Sequence, residues 1–232
     1  FGGVSFGFGV VEVDPLYGEL FPLSILPTEL PELPVLSAAS PLSDTDWLLP
    51  FFGFNSNTKE RYTEADGTEV ITEVETDRSL HIQPDGSIVY RSGTEATPEI
   101  SAQEQNPTAA ESALGCSILL QELTEGLTGE ASLYLQSVSQ SGDSTQLRFG
   151  YQLAGTPIRF SDGGSAAEIT LSGTSITRLT LRFRQYSTTN EQSLLLPLRQ
   201  TLAIAADHPG VELSVGYADG GGDTVSASWL AD

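Results

Sequence analysis

From Arg61 onward, apolar and polar positions alternate with the period of two expected of half-buried strands, interrupted by two stretches of helical period. Glu69 to Glu75 reads as a strand of β-branched residues with an acidic outer face. Ser79 to Gln83 and Ser87 to Arg91 flank Pro84-Asp85-Gly86, and an Asp-Gly pair between alternating runs predicts a hairpin, because the turn needs a positive φ. A helix follows, with Asn106 as its N-cap and Pro107 at its first position. Ala110, Leu114, Ile118 and Leu123, together with Leu119 and Leu120, carry it to about Leu127, and Gly126 or Gly129 stops it. Strands at Ala131 to Ser139 and Thr145 to Leu153 come next, joined by Gln140 to Asp143, and a short strand at Ile158 to Phe160 ends the half.

The second half repeats the plan. Ala167 to Leu171 and Ile176 to Tyr186 form a hairpin, in which Leu179, Leu181 and Phe183 alternate with Arg178, Thr180, Arg182 and Arg184. A helix over Ser193 to Ala206, with Leu198, Leu202 and Ala205 on one side, runs into Pro209-Gly210. Strands Val211 to Tyr217 and Thr224 to Trp229 close the chain across a Gly-rich turn, Asp219 to Asp223. The predicted class is α+β: antiparallel sheets with helices, built from two duplicated β-hairpin–helix–β-hairpin units packed together. The units are residues 58–160 and 161–232, each too small to bury its sheet and helix faces alone. Residues 1–57 form an irregular, proline-punctuated N-terminal segment, in which prolines 22, 27, 31 and 34 favour extended structure and Asp44 to Phe52 a short helix capped by Ser43 or Asp44.

Charge changes the picture more than composition does. Thirty-one acidic residues against ten basic ones give a net charge of -21, and Lys59 is the only lysine. Nucleic acid is excluded as a partner and anionic lipid is repelled, since both need a basic surface. Hydrophobic residues make up 39% and mean hydropathy is -0.07, as in globular proteins, and no apolar run is long enough to cross a bilayer. The acidity serves solubility, or meets a basic partner or cations. The sequence has no methionine and opens on Phe1, so a longer product is expected, with any leader or anchor helix outside this chain.

The search for chemistry assigns no catalytic, cofactor-binding or metal-binding residue, and no cofactor. The two histidines, His81 and His208, stand far apart in sequence, and no Gly-x-Ser-x-Gly elbow occurs. Cys116, the single cysteine, lies in an apolar helical stretch and reads as a buried structural thiol. Asp219 to Asp223 lacks the alternating oxygens and terminal Glu of a calcium loop, and reads as a tight hairpin with solvated aspartates. Glu73 and Glu75 face the same way on one exposed strand, without the differing environments that glycosidase carboxylates need. Phe6-Gly7-Phe8-Gly9 and Gly220-Gly221-Gly222 lack the Lys-Ser/Thr of a phosphate loop. Tyr90, Tyr151, Tyr217 and Trp229 fall on alternating strand positions and read as core.

From the first hairpin onward the chain resembles the extracytoplasmic regions of YycH/YycI-like proteins. The phrases that carry the resemblance are the hairpin Ser79 to Tyr90, the stretch Phe149 to Ile158, the strand Ile176 to Tyr186, Leu195 to Ile204, and the closing Glu212 to Trp229, about two-thirds of the chain. The resemblance implies a bitopic protein of a Gram-positive-type cell, anchored to the cell membrane, whose only membrane contact is an N-terminal helix absent from this chain. It implies non-covalent regulation of a membrane sensor histidine kinase in a cell-wall two-component system, with no catalytic residues. Residues 14 to 57 fit the family pattern less closely. Two alternatives stand beside it: a carbohydrate-active hydrolase with a carboxyl of raised pKa in a deep cleft, and a secreted domain that binds a small ligand or peptide between its two halves.

Overall fold

The computed structural model describes residues 10–12, 22–24, 31–55, 57–73, 75–93, 98–102, 106–205 and 213–231. In chain order the elements are Val10–Glu12 (β1), Pro22–Ser24 (β2), Pro34–Ala39 (β3), Leu48–Phe51 (α1), Lys59–Thr63 (β4), Glu69–Glu73 (β5), Arg78–Ile82 (β6), Ser87–Arg91 (β7), Ala109–Leu123 (α2), Ser132–Ser141 (β8), Ser144–Leu153 (β9), Thr156–Phe160 (β10), Ala167–Ser172 (β11), Ser175–Arg182 (β12), Gln185–Gln192 (β13), Leu198–Ala205 (α3), Leu213–Asp219 (β14) and Thr224–Ala231 (β15). The class is α+β weighted strongly to β. Among the described residues every strand pair is antiparallel except β10 with β14. Of the expected N-terminal segment, residues 1–9, 13–21, 25–30 and 56 lie outside the described residues, as do His208 and Pro209-Gly210; β1 and β2 pair with each other.

The main sheet runs β13-β3-β15-β14-β10-β9-β11-β12-β7-β6-β5-β4, with β8 on the other edge of β9. It forks at β9. Ser144 to Phe149 pair β11, whereas Tyr151 to Leu153 pair β10. Gly150 stands at the fork, where a Cβ would lie 2.4 Å from Gln136 Nε2 and 2.9 Å from the Tyr134 ring, so those two side chains would have to shift to admit one.

One branch, β11 to β4, carries α1 and α2 on one face. Cys116, Leu119, Leu120 and Leu123 of α2 pack with Ile71, Leu80, Ile88, Tyr90, Phe149 and Leu179. The other branch returns to its start. Tyr186 of β13 bridges Gly129, just ahead of β8, through Tyr186 N to Thr128 O (3.1 Å) and Glu130 N to Tyr186 O (2.8 Å). The strands β8-β9-β10-β14-β15-β3-β13 thereby form a ring around Leu36, Tyr151, Ile158, Tyr186, Tyr217 and Val225. Along the chain four strands (β4 to β7), α2 and three strands (β8 to β10) are followed by three strands (β11 to β13), α3 and two strands (β14, β15). The expected hairpin–helix–hairpin repeat is therefore not reproduced strand for strand. In space these strands interleave, β12 lying on β7 and β14 on β10.

Local chemistry explains most boundaries. The Asp85-Gly86 hairpin forms with Gly86 at φ 86° and Asp85 Oδ1 accepting from Ser87 N at 2.8 Å. The helix α2 starts later than Asn106-Pro107 because Thr108 and Glu111 make a reciprocal capping box. It stops at Leu123, where the Thr124 hydroxyl donates to Leu120 O. The expected Asp44 to Phe52 helix shrinks to four residues with Trp47 as N-cap, because Asp44 accepts from Asp46 N in a turn instead. The expected single strand Ile176 to Tyr186 is two strands, β12 and β13, separated by Phe183-Arg184. The helix expected from Ser193 starts only at Leu198, since Pro197 disfavours helical geometry at Leu196. Pro34 to Ala39, within the segment read as irregular, is a strand between β13 and β15, with its proline at the first position.

Candidate functional site

Four turns meet at the mouth of the fork around a cleft of about 640 Å³: the β6–β7 turn, the loop after β10, the β14–β15 turn and the passage from β12 to β13. Its wall is a buried ion pair. Asp219 is 1% exposed and accepts from Arg184 Nε (3.0 Å), Arg184 Nη2 (2.9 Å), Tyr186 Oη (2.7 Å) and Gly221 N (2.7 Å), while Arg184 Nη2 also donates to Gly222 O (2.7 Å). Burial works against the Arg184 charge, but the Asp219 hydrogen bond and charge outweigh it and hold the guanidinium above its ordinary value. Burial, reinforced by the Asp219 carboxylate, pushes the Tyr186 phenol upward. The aspartates of this turn were expected to be solvated. Asp223 is, but Asp219 is not, because it continues the inward set Val215, Tyr217, Asp219 of β14. That alternation was the available signal. Arg184, one of the polar residues that alternate with Leu179, Leu181 and Phe183, is likewise buried at 8%.

Beside this pair Arg182 reaches into the cleft. Its Nη2 donates to Asp162 Oδ2 at 2.8 Å and its guanidinium lies 4.7 Å from the Phe160 ring centroid. The Arg182 hydrogen bond, with help from Gly164 N, holds the Asp162 carboxyl below its usual range. Asp85 and Asp223 complete a cleft with more anions than cations.

A second acid corrects the sequence reading. Glu73 was expected on a solvated strand face beside Glu75, yet it is 4% exposed, and β5 ends at Glu73, so Glu75 stands outside the strand and exposed. Its carboxylate accepts from Thr58 Oγ1 (2.8 Å), Asn55 N (3.1 Å), Thr76 Oγ1 (2.9 Å) and Arg78 Nη1 (3.3 Å). Burial raises its pKa, but these donors and the Arg78 charge more than reverse the effect, so the net shift is downward. Cys116 is fully buried, as expected, and burial pushes its thiol up to about 12. Tyr90, Tyr151 and Tyr217 are core, and Trp229 is half-buried with its indole N–H on Leu196 O at 2.8 Å. His81 is half-buried in β6.

The apolar face of α2 is not the one its spacing suggests. Ser112, Gly115, Cys116, Leu119, Leu120 and Leu123 point inward, which leaves Leu114 64% and Ile118 43% exposed. Ile118 borders a groove of about 680 Å³ between the C-terminal half of α2 and the start of β8, lined also by Gln121, Glu122, Glu125, Leu133 and Phe149. Leu133 and Leu135 sit opposite Tyr151 and Phe149, on the side that faces the helix, and Leu135 is 40% exposed. Among the described residues the outer edge of β8 pairs with no strand.

No protein-family model, curated protein or solved structure matches this chain. Among the described residues there is no group of three or more His, Cys, Asp or Glu side chains able to hold a metal ion, and no helix long and apolar enough to cross a membrane.

Proposed function

We propose that this chain is the non-catalytic, extracytoplasmic domain of a membrane-anchored protein of the YycH/YycI-like kind, which binds and regulates a membrane sensor histidine kinase of a cell-wall two-component system. The observation that carries the binding reading is the groove between α2 and β8, bordered by the exposed Ile118 on a chain of net charge -21, with Leu114 of α2 and Leu135 of β8 also exposed. Single exposed apolar side chains are ordinary, but one at the lip of a groove, with others exposed on the two elements that form it, fits a contact surface. The two ββαββ units, 58–160 and 161–232, belong to the same proposal as products of one duplication.

The hydrolase alternative calls for a carboxyl held above its usual range. Glu69, Glu73 and Asp162 are all held below theirs, by arginine or by hydrogen-bond donors. The test is cross-linking of the full-length product in intact membranes of its own host, followed by identification of what is captured. A sensor kinase supports the proposal; wall polymer alone, or a freely secreted protein, refutes it.

A further inference from the structure

Among the described residues the strands β4, β8 and β13 each pair with one strand only, and the first two are built differently. At one edge β4 carries Lys59, Glu60 and Arg61, and Arg61 ion-pairs with Glu69 and Asp46. Charges on an edge strand are a standard guard against strand addition. The other edge, β8, reads Ser-Leu-Tyr-Leu-Gln-Ser-Val-Ser-Gln-Ser, without a charge or a proline, in a chain that is 18% charged. Its only irregularity is the bulge between Leu135 and Ser137, which ends the stretch beside the α2 groove.

Groove and edge together make a seat for an extended chain, with backbone groups on one side and apolar walls on the other. The charge around it selects the occupant. Glu122 and Glu125 stand exposed at the C-terminal end of α2, where the helix dipole is already negative and no basic side chain occupies the last turn. A second copy of this chain, also at net charge -21, would be repelled. We infer that β8 and the α2 groove bind an extended segment of a partner protein, alternating apolar and basic residues, by strand addition. This inference rests on the binding reading above and adds the surface and the chemistry of the partner.

A labelled, alternating Lys-Val peptide is the probe, with fluorescence anisotropy for affinity and amide hydrogen exchange for location. The peptide is expected to bind and to slow exchange across residues 132–135, ahead of the bulge. The same peptide N-methylated along one edge keeps its charge but cannot pair, and is expected to bind about tenfold more weakly. The double variant Glu122→Lys/Glu125→Lys, both sites being exposed, is expected to keep its circular dichroism, to lose about tenfold in affinity for Lys-Val, and to gain binding of a Glu-Val peptide. Equal binding of the N-methylated peptide, or slowed exchange elsewhere, would overturn the inference.

The same variant in the membrane cross-linking experiment separates the two claims. A kinase captured equally by variant and parent refutes this surface and leaves the ectodomain reading standing. Peptide binding at β8 with no kinase captured does the reverse.

Discussion

Asp219→Ala removes the acceptor shared by two Arg184 nitrogens, the Tyr186 hydroxyl and Gly221 N. Water cannot stand in easily, because the Asp219 side chain is 0% exposed and that of Arg184 only 10%. Taking one partner from a buried ion pair costs about 3–5 kcal/mol, chiefly from the charge left behind. Arg184 retains Gly222 O and borders the cleft, which places the expected loss near the lower end, about 3 kcal/mol. Against a total stability of about 5–15 kcal/mol that is a large fraction. At about 2–4 °C per kcal/mol for a chain of this size, the midpoint should fall by roughly 6–12 °C. Urea unfolding followed by tryptophan fluorescence gives the free energy, provided the slope is unchanged. Adding Arg184→Met should recover part of the loss, so the pair should be non-additive by about 1–3 kcal/mol. A cost for Asp219→Ala below about 1 kcal/mol, or strict additivity with Arg184→Met, would refute the claim that this pair is a dry structural clamp.

Glu73 has a folded pKa below its ordinary 4.5, so its contribution is complete above that value and is lost as pH falls through the folded pKa. Glu73→Gln should therefore flatten the decline in urea midpoint between neutral pH and about pH 3. The Cys116 thiol should resist a thiol-reactive dye in the native state and react only on unfolding, so rapid native labelling would contradict its burial. Gly129→Ala should cost about 3 kcal/mol or more, because φ is 66° and a Cβ would sit 2.2 Å from Tyr186 O, where the ring closes. Gly126→Ala, at φ 73° with nothing within 4 Å, should cost only about 1 kcal/mol, and equal losses in thermal unfolding would count against the clash.

What was legible in the sequence was local. Asp85-Gly86 and the alternation Leu179, Leu181, Phe183 fix a turn and a face through neighbours only, and both stand in the structure as expected. The α2 stripe was misread because apolar residues occupy positions 113, 114, 116, 118, 119, 120 and 123, so spacing alone cannot choose between Leu114 with Ile118 and Leu119 with Leu123. Tertiary packing chose the second pair and left the first exposed. The Arg184–Asp219 pair spans 35 residues, and a Gly-rich turn gives no local hint of a partner that distant. The fork is also a non-local fact: nothing near Gly150 in sequence announces that β10 and β11 divide one edge of β9.

That division ties the two cores together through one strand. Phe149 belongs to the core under α2 and Tyr151, two residues on, to the core of the ring, while Leu133 touches both. Each hydrophobic interior thus borrows a wall from the other. The chain consequently has no seam: melting either interior strips support from its neighbour, and fluorescence and calorimetry should record one coincident transition. Severing the polypeptide between residues 160 and 161 would part β10 and β9 from β14 and β11, leaving two fragments that each hold open half-cores and must find one another again to fold.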